Sequence, residues 1–183
     1  MEPYHFLDCR KAARRTVRHN AVVHAVAMHI RNDCRLQDVQ VTLNPRIPVV
    51  QVTRIADLKF KVGDEIKYLD AVISNPAAPT YNTATHKAFE IENTANNLAE
   101  RTKVQDYLTF AADIVNGGNF IAFSAEATGR LSETSLKFIR DIGSQRPDEG
   151  IAVSLNLRNK IARIINYFAA TSMVQGLQNQ ALP

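Results

Sequence analysis

The chain has 183 residues, 45% of them apolar and 22% charged, with a formal net charge of +4. That length allows one sizeable core, and only seven glycines and seven prolines exclude a fibrous or low-complexity chain. No apolar run approaches the roughly 18 residues of a membrane span, and the opening MEPYHFLDCRK lacks the apolar segment of a secretory signal. Two cysteines cannot build a disulfide framework, so the chain reads as soluble and intracellular.

Charge is concentrated at the start. Residues 1–35 hold seven basic side chains (Arg10, Lys11, Arg14, Arg15, Arg18, Arg31, Arg35) against three acids (Glu2, Asp8, Asp33), and the rest holds 15 of each sign. A basic lead-in on a neutral body suits contact with a polyanion, nucleic acid first. A solvated helix face explains the same pattern.

Residues 10–30 have helical periodicity, with Val22, Val23, Val26 and Ile30 on one stripe and Arg14, Arg15, Arg18 and His29 off it. Residues 39–43 alternate like a strand closed by Asn44-Pro45, and residues 46–53 read as an edge strand or loop because of Pro48. Residues 56–62 and 65–74 form two strand-like runs joined at Gly63-Asp64, a tight hairpin signal. In the first, Asp57, Lys59 and Lys61 oppose Leu58, Phe60 and Val62; in the second, Tyr68, Asp70 and Val72 oppose Leu69, Ala71 and Ile73. After a loop at 75–85, a long helix is expected from His86 to Val115, ended by Asn116-Gly117-Gly118. A strand at 120–125, a Ser132-capped helix to Ile142 and a final helix at 151–175 complete an α/β order with no second domain.

Asp57 and Asp70, thirteen positions apart on neighbouring strands, each put a carboxylate on a face that could line a cleft. Two close carboxylates repel and favour a cation, and Mg²⁺ accepts a few hard oxygens while keeping several waters. Lys103 and Tyr107 are an i, i+4 pair on the long helix, one turn after Glu100. Strand-end aspartates facing water, a surface lysine and a half-buried tyrosine explain the same residues without chemistry. Glu126, Thr128, Gly129 and Arg130 form a polar turn that either shapes a cleft or simply joins strand to helix. No GxxxxGK[ST] or GxGxxG occurs, which excludes those nucleotide-binding loops.

Several blocks in order resemble the restriction-like endonuclease region at the C-terminal end of non-LTR retrotransposon reverse transcriptases. HFLDC at 5–9 resembles the last half of that family's zinc knuckle, and TVRHNAVVHAV at 16–26 its arginine-histidine-asparagine helix. RIADLKF at 54–60 and IKYLDAVIS at 66–74 resemble its metal-binding strands, and LAERTKVQDY at 98–107 the helix with its lysine and tyrosine. FSAEATGRLSETSLKFI at 123–139 and residues 151–165 resemble its trailing segment, so the likeness spans about residues 5 to 170.

The resemblance implies a PD-(D/E)xK nuclease fold: an α/β, restriction-endonuclease-like core with a mixed four-stranded sheet flanked by helices. Residues 1–15 would be a knuckle remnant and basic lead-in, and 16–183 the nuclease domain with a helical extension. Asp57, Asp70 and the Ala71 carbonyl would bind Mg²⁺ or Mn²⁺. Lys103 would be the catalytic lysine with Tyr107 beside it, and Arg14, Arg15, Arg18, His19 and Asn20 would contact DNA, with Arg18 and His19 either at its phosphate or beside the metal cleft; helix capping and a solvated face explain the same residues. The expected activity is nicking of target DNA to prime reverse transcription, in the nucleus, alongside the polymerase of the parent polyprotein.

The chain departs from the pattern at Val72, where the plain fold has its lysine, and at Ala56, where the family has proline. The Asp70-to-Lys103 interval is also long, and Lys59 is the alternative lysine. His5 and Cys9 make half a zinc site, so zinc is not expected; a start partway through a knuckle suits a fragment or a domesticated descendant. The rival reading is such a descendant, inactive and serving a larger complex as a structural or nucleic-acid-binding subunit. A junction-resolving enzyme is a third.

Overall fold

The computed structural model describes residues 12–33, 41–47, 54–62, 64–88, 90–144 and 150–178. Its centre is a four-stranded mixed sheet in the order β1 (Val41–Leu43), β4 (Leu58–Val62), β5 (Glu65–Ser74), β6 (Phe120–Glu126). The first two pairings are antiparallel and β5–β6 is parallel. Two short strands, β2 (Arg46–Ile47) and β3 (Arg54–Ile55), pair separately. Val62 pairs with Glu65, so the two-residue hairpin read from Gly63-Asp64 sets the β4–β5 register.

Helices cover both faces. On one lie α1 (Ala12–Met28), α4 (Glu133–Gly143) and α5 (Gly150–Gln178). Leu58, Phe60, Leu69, Ala71 and Phe123 meet Val22, Val26 and Ile30 of α1, Phe138 and Ile139 of α4, and Leu157, Ile161 and Ile165 of α5 in one buried cluster. The valines of α1 are poor helix formers, so this burial rather than propensity holds the helix. Ser132 caps α4 by accepting from the Ser135 amide at 3.0 Å, as its sequence signal indicated.

The last turn of α1 widens into a π-helical turn at His29–Asp33. Arg18 and His29, expected off the buried stripe, are 8% and 2% exposed. The stripe is wider than its valines suggested because both α5 and β5 pack against α1.

The other face carries α2 (Thr94–Leu108) and α3 (Ala112–Asn116). The single helix expected over 86–115 is therefore two, and His86 precedes them in a turn, its amide donating to Thr83 Oγ1. Asn93 sits in the left-handed region at φ 62, so helical geometry starts only at Thr94. At the far end, Tyr107 stacks on Phe120 with centroids 3.9 Å apart and lies 4.9 Å from Phe110. This second cluster, with Ala56, Tyr68 and Ala111, turns the chain before α3.

Phe123 is fully buried and meets Phe138 edge-on at 6.0 Å. Phe123→Ala should cost about 3–5 kcal/mol in urea unfolding, whereas Tyr167→Ala, at a residue 66% exposed, should stay within about 0.5 kcal/mol.

Candidate functional site

The site forms where a β ladder stops. Leu58 opposite Leu69 is the last rung between β4 and β5. Asp57 and Asp70 would make the next, and there the chain bends away. The Ala56 amide donates to the Pro45 carbonyl and the Asp57 carbonyl accepts from Asn44, so this backbone leaves β5 for the β1–β2 connection. The exposed edge of β5 is taken up by side chains instead. The Ala71 amide donates to Asp57 Oδ2 at 2.7 Å, and the Asp57 and Asp70 carboxyls are near enough to perturb each other's ionisation.

Two cationic side chains answer these carboxylates from opposite faces of the sheet. Lys103 Nζ, from α2, donates to both Asp70 oxygens at 3.0 Å. Asn96 sets the height of that helix: its Oδ1 accepts from Ser74 Oγ at 3.1 Å and Ser124 Oγ at 2.8 Å, bonding α2 to β5 and β6. Lys103 follows Asn96 by two turns on the same side. From α1, His19 Nε2 lies 3.1 Å from both Asp57 Oδ2 and the Ala71 carbonyl, while Nδ1 faces Asn20 Oδ1 at 3.2 Å. Two acceptors at Nε2 require a proton on that nitrogen.

The titration behaviour follows. The Asp57 hydrogen bond, aided by its charge, outweighs burial and raises His19 from 6.5 to about 9. Burial opposes ionisation of Asp57, but the hydrogen bond and charge of His19 prevail and lower its carboxyl. For Asp70 burial is the largest influence, and with the Asp57 charge it overcomes Lys103 and pushes the carboxyl up to about 6. Perturbation in opposite senses at two neighbouring carboxyls is a mark of functional sites and also of buried ion-pair networks.

Asp57, Asp70, the Ala71 backbone, Lys103, His19 and Asn20 thus come together. The Tyr107 ring, 4% exposed, packs in the second apolar cluster beside Ala56. Lys59 lies over the Tyr68 ring, 6.0 Å from its centroid, so the lysine meeting an acid is Lys103. Glu100 accepts from Ser132 Oγ and ties α2 to the α4 cap. Glu126 is buried, accepts from Thr128 Oγ1 at 3.2 Å and lies 4.0 Å from Arg130, forming a turn of its own. The side chains of Arg14 and Arg15, and His5 and Cys9, lie outside the described residues.

Sequence reading missed Asn96, whose signal was a polar residue between Ala95 and Ala99 on a face of small side chains. For His19 it left the DNA phosphate and the metal cleft both open, and it did not name Asp57 as the partner.

Among the described residues no three His, Cys, Asp or Glu side chains are arranged to hold a metal. A divalent ion would rest on two carboxylates, a carbonyl and water, a hard-oxygen set that fits Mg²⁺. No family model and no curated protein matches the chain.

His19 binds its proton more tightly folded, at about 9, than its ordinary 6.5. Its stabilising contribution is therefore complete below about 6.5 and lost as pH rises through about 9. In EDTA, unfolding free energy should fall between pH 7 and 10 by on the order of 2 kcal/mol, and His19→Gln should flatten that slope in urea titrations. Lys103→Met strips Asp70 of its ammonium, so its carboxyl should titrate above its present value of about 6 when followed by carboxyl ¹³C shifts.

Proposed function

We propose that this chain is a metal-dependent DNA endonuclease region with a restriction-endonuclease-like core, of the kind found in non-LTR retrotransposons. The convergence of Asp57 and Asp70 at the end of the β4–β5 ladder, with Lys103 on Asp70, carries the reading. The plain form of the fold has its lysine two positions after the second acid, where this chain has Val72. An ammonium arriving from α2 answers that departure.

Asp57, Asp70 and the Ala71 carbonyl would hold Mg²⁺ or Mn²⁺. Bound there, the ion supplies charge for a scissile phosphate and lowers the pKa of a water. The chain's own groups do the rest. Lys103 keeps an ammonium beside Asp70 and offers N–H donors to a phosphoryl oxygen or to the attacking water. The buried flanks of the carboxylates keep the local dielectric low, which strengthens those interactions. The basic lead-in binds backbone phosphate without reading sequence, so affinity should fall steeply with salt.

One observation favours a second reading, an inactive nuclease-fold subunit of a larger assembly. Lys103 and His19 already balance the two carboxylates without an ion. A buried, charge-neutral cluster of this kind holds elements together with no chemistry at all.

Nicking of supercoiled plasmid separates the two. Wild-type protein should convert it to open circles only with Mg²⁺ or Mn²⁺. Asp57→Ala and Asp70→Ala should each lower the rate about 100-fold or more, and Lys103→Ala about 100-fold, with circular dichroism unchanged. Wild-type protein that never nicks, yet binds duplex DNA with a steep salt dependence, establishes the second reading.

A further inference from the structure

The sequence places His19 at the DNA phosphate or beside the metal cleft, and contact with phosphate leaves its position unexplained. The ring does not reach outward. Nε2 points at the two oxygens, Asp57 Oδ2 and the Ala71 carbonyl, that would belong to the cation site, at 3.1 Å from each.

We propose that His19 stands in for the divalent cation in the empty state of this site, and that the cation and the imidazole ring exclude one another at Asp57 Oδ2 and the Ala71 carbonyl. The inference rests on the cation-site reading above and adds a gate to it.

Lone-pair counting makes the exclusion specific. Asp57 Oδ2 accepts from the Ala71 amide at 2.7 Å and from His19 Nε2 at 3.1 Å. A carboxylate oxygen has about two such positions, so a cation at this oxygen must evict one donor. The Ala71 amide belongs to the central strand, held in parallel register with β6, and cannot withdraw. The His19 side chain can, because it keeps 28% of its surface exposed and its other nitrogen is held only by the exposed Asn20. Asp70 faces no such conflict over His19, since both its oxygens accept from the long side chain of Lys103. Charge points the same way. The two carboxylates carry an ammonium and an imidazolium already, and a further double charge is accommodated most easily when one cationic group leaves.

The consequence is an occupancy-dependent contact between α1 and the strand end. When the site is empty, His19 fastens α1 to Asp57 and the β5 edge. When it is filled, the ring is released to the rim on the helix that carries Arg14 and Arg15, next to where a polyanion would approach.

The test is Mn²⁺ binding at one fixed pH without nucleic acid, read by electron paramagnetic resonance and calorimetry. His19→Ala and His19→Gln remove the competing imidazolium and should bind Mn²⁺ about tenfold tighter than wild type, the factor expected for one charge-assisted hydrogen bond. Asp57→Ala should lose the ion. In ¹⁵N-labelled wild-type protein, the His19 ring resonances should move on saturation with Mg²⁺. Equal affinity in wild type and both His19 variants, or a stationary ring at saturating Mg²⁺, overturns the gate and leaves the cation site standing. Weaker binding in the variants overturns it too, making His19 a ligand. Failure of every protein to bind Mn²⁺ overturns the gate together with the cation-site reading.

Discussion

Two carboxylates that would repel one another are brought together where β4 parts from β5, and much of the arrangement around them serves to make that tolerable. The hairpin leaves no freedom in the matter. With Val62 opposite Glu65, Asp57 and Asp70 stand equally far from the turn and fall due on the same rung. Burial penalises both charges, and the penalty is met by an amide of β5, an ammonium from α2 and an imidazole from α1. Each compensating group comes from a different element.

The supporting packing follows from that demand. Lys103 meets Asp70 only if α2 is held at the right height, and the buried Asn96 does this by accepting two serine hydroxyls from adjacent strands. Apolar contacts alone would let a helix slide by a fraction of a turn, whereas two hydrogen bonds to one oxygen define its level. His19 reaches Asp57 because Val22, Val23, Val26 and Ile30 seat α1 against the sheet on the opposite face. The stacked Tyr107 and Phe120 close the lower end of α2 and turn the chain toward α3.

Local signals worked where local forces decide. The Gly63-Asp64 turn, the alternation in residues 56–62 and 65–74, the Ser132 cap and the glycines after Asn116 all mark features of the structure within a residue or two. They failed where a longer-range contact intervened. Helical periodicity over 86–115 could not register the left-handed Asn93 or the aromatic cluster that interrupts the helix. Arg18 and His29 fall off the apolar stripe in the sequence yet are buried, in a helical segment that packs on α5, more than a hundred residues later, and on β5.

By itself, then, the amino-acid sequence determined the β4 and β5 runs, their hairpin register and hence the nearness of Asp57 to Asp70, since a two-residue turn leaves only one alignment of its flanks. It could not say which cations would answer those acids. Lys59 and Lys103 were both eligible along the chain, and for His19 the DNA phosphate and the metal cleft both stood open. That choice belongs to the tertiary structure, because contacts across 33 and 38 positions exist only once α2 and α1 have docked on opposite faces of the same sheet.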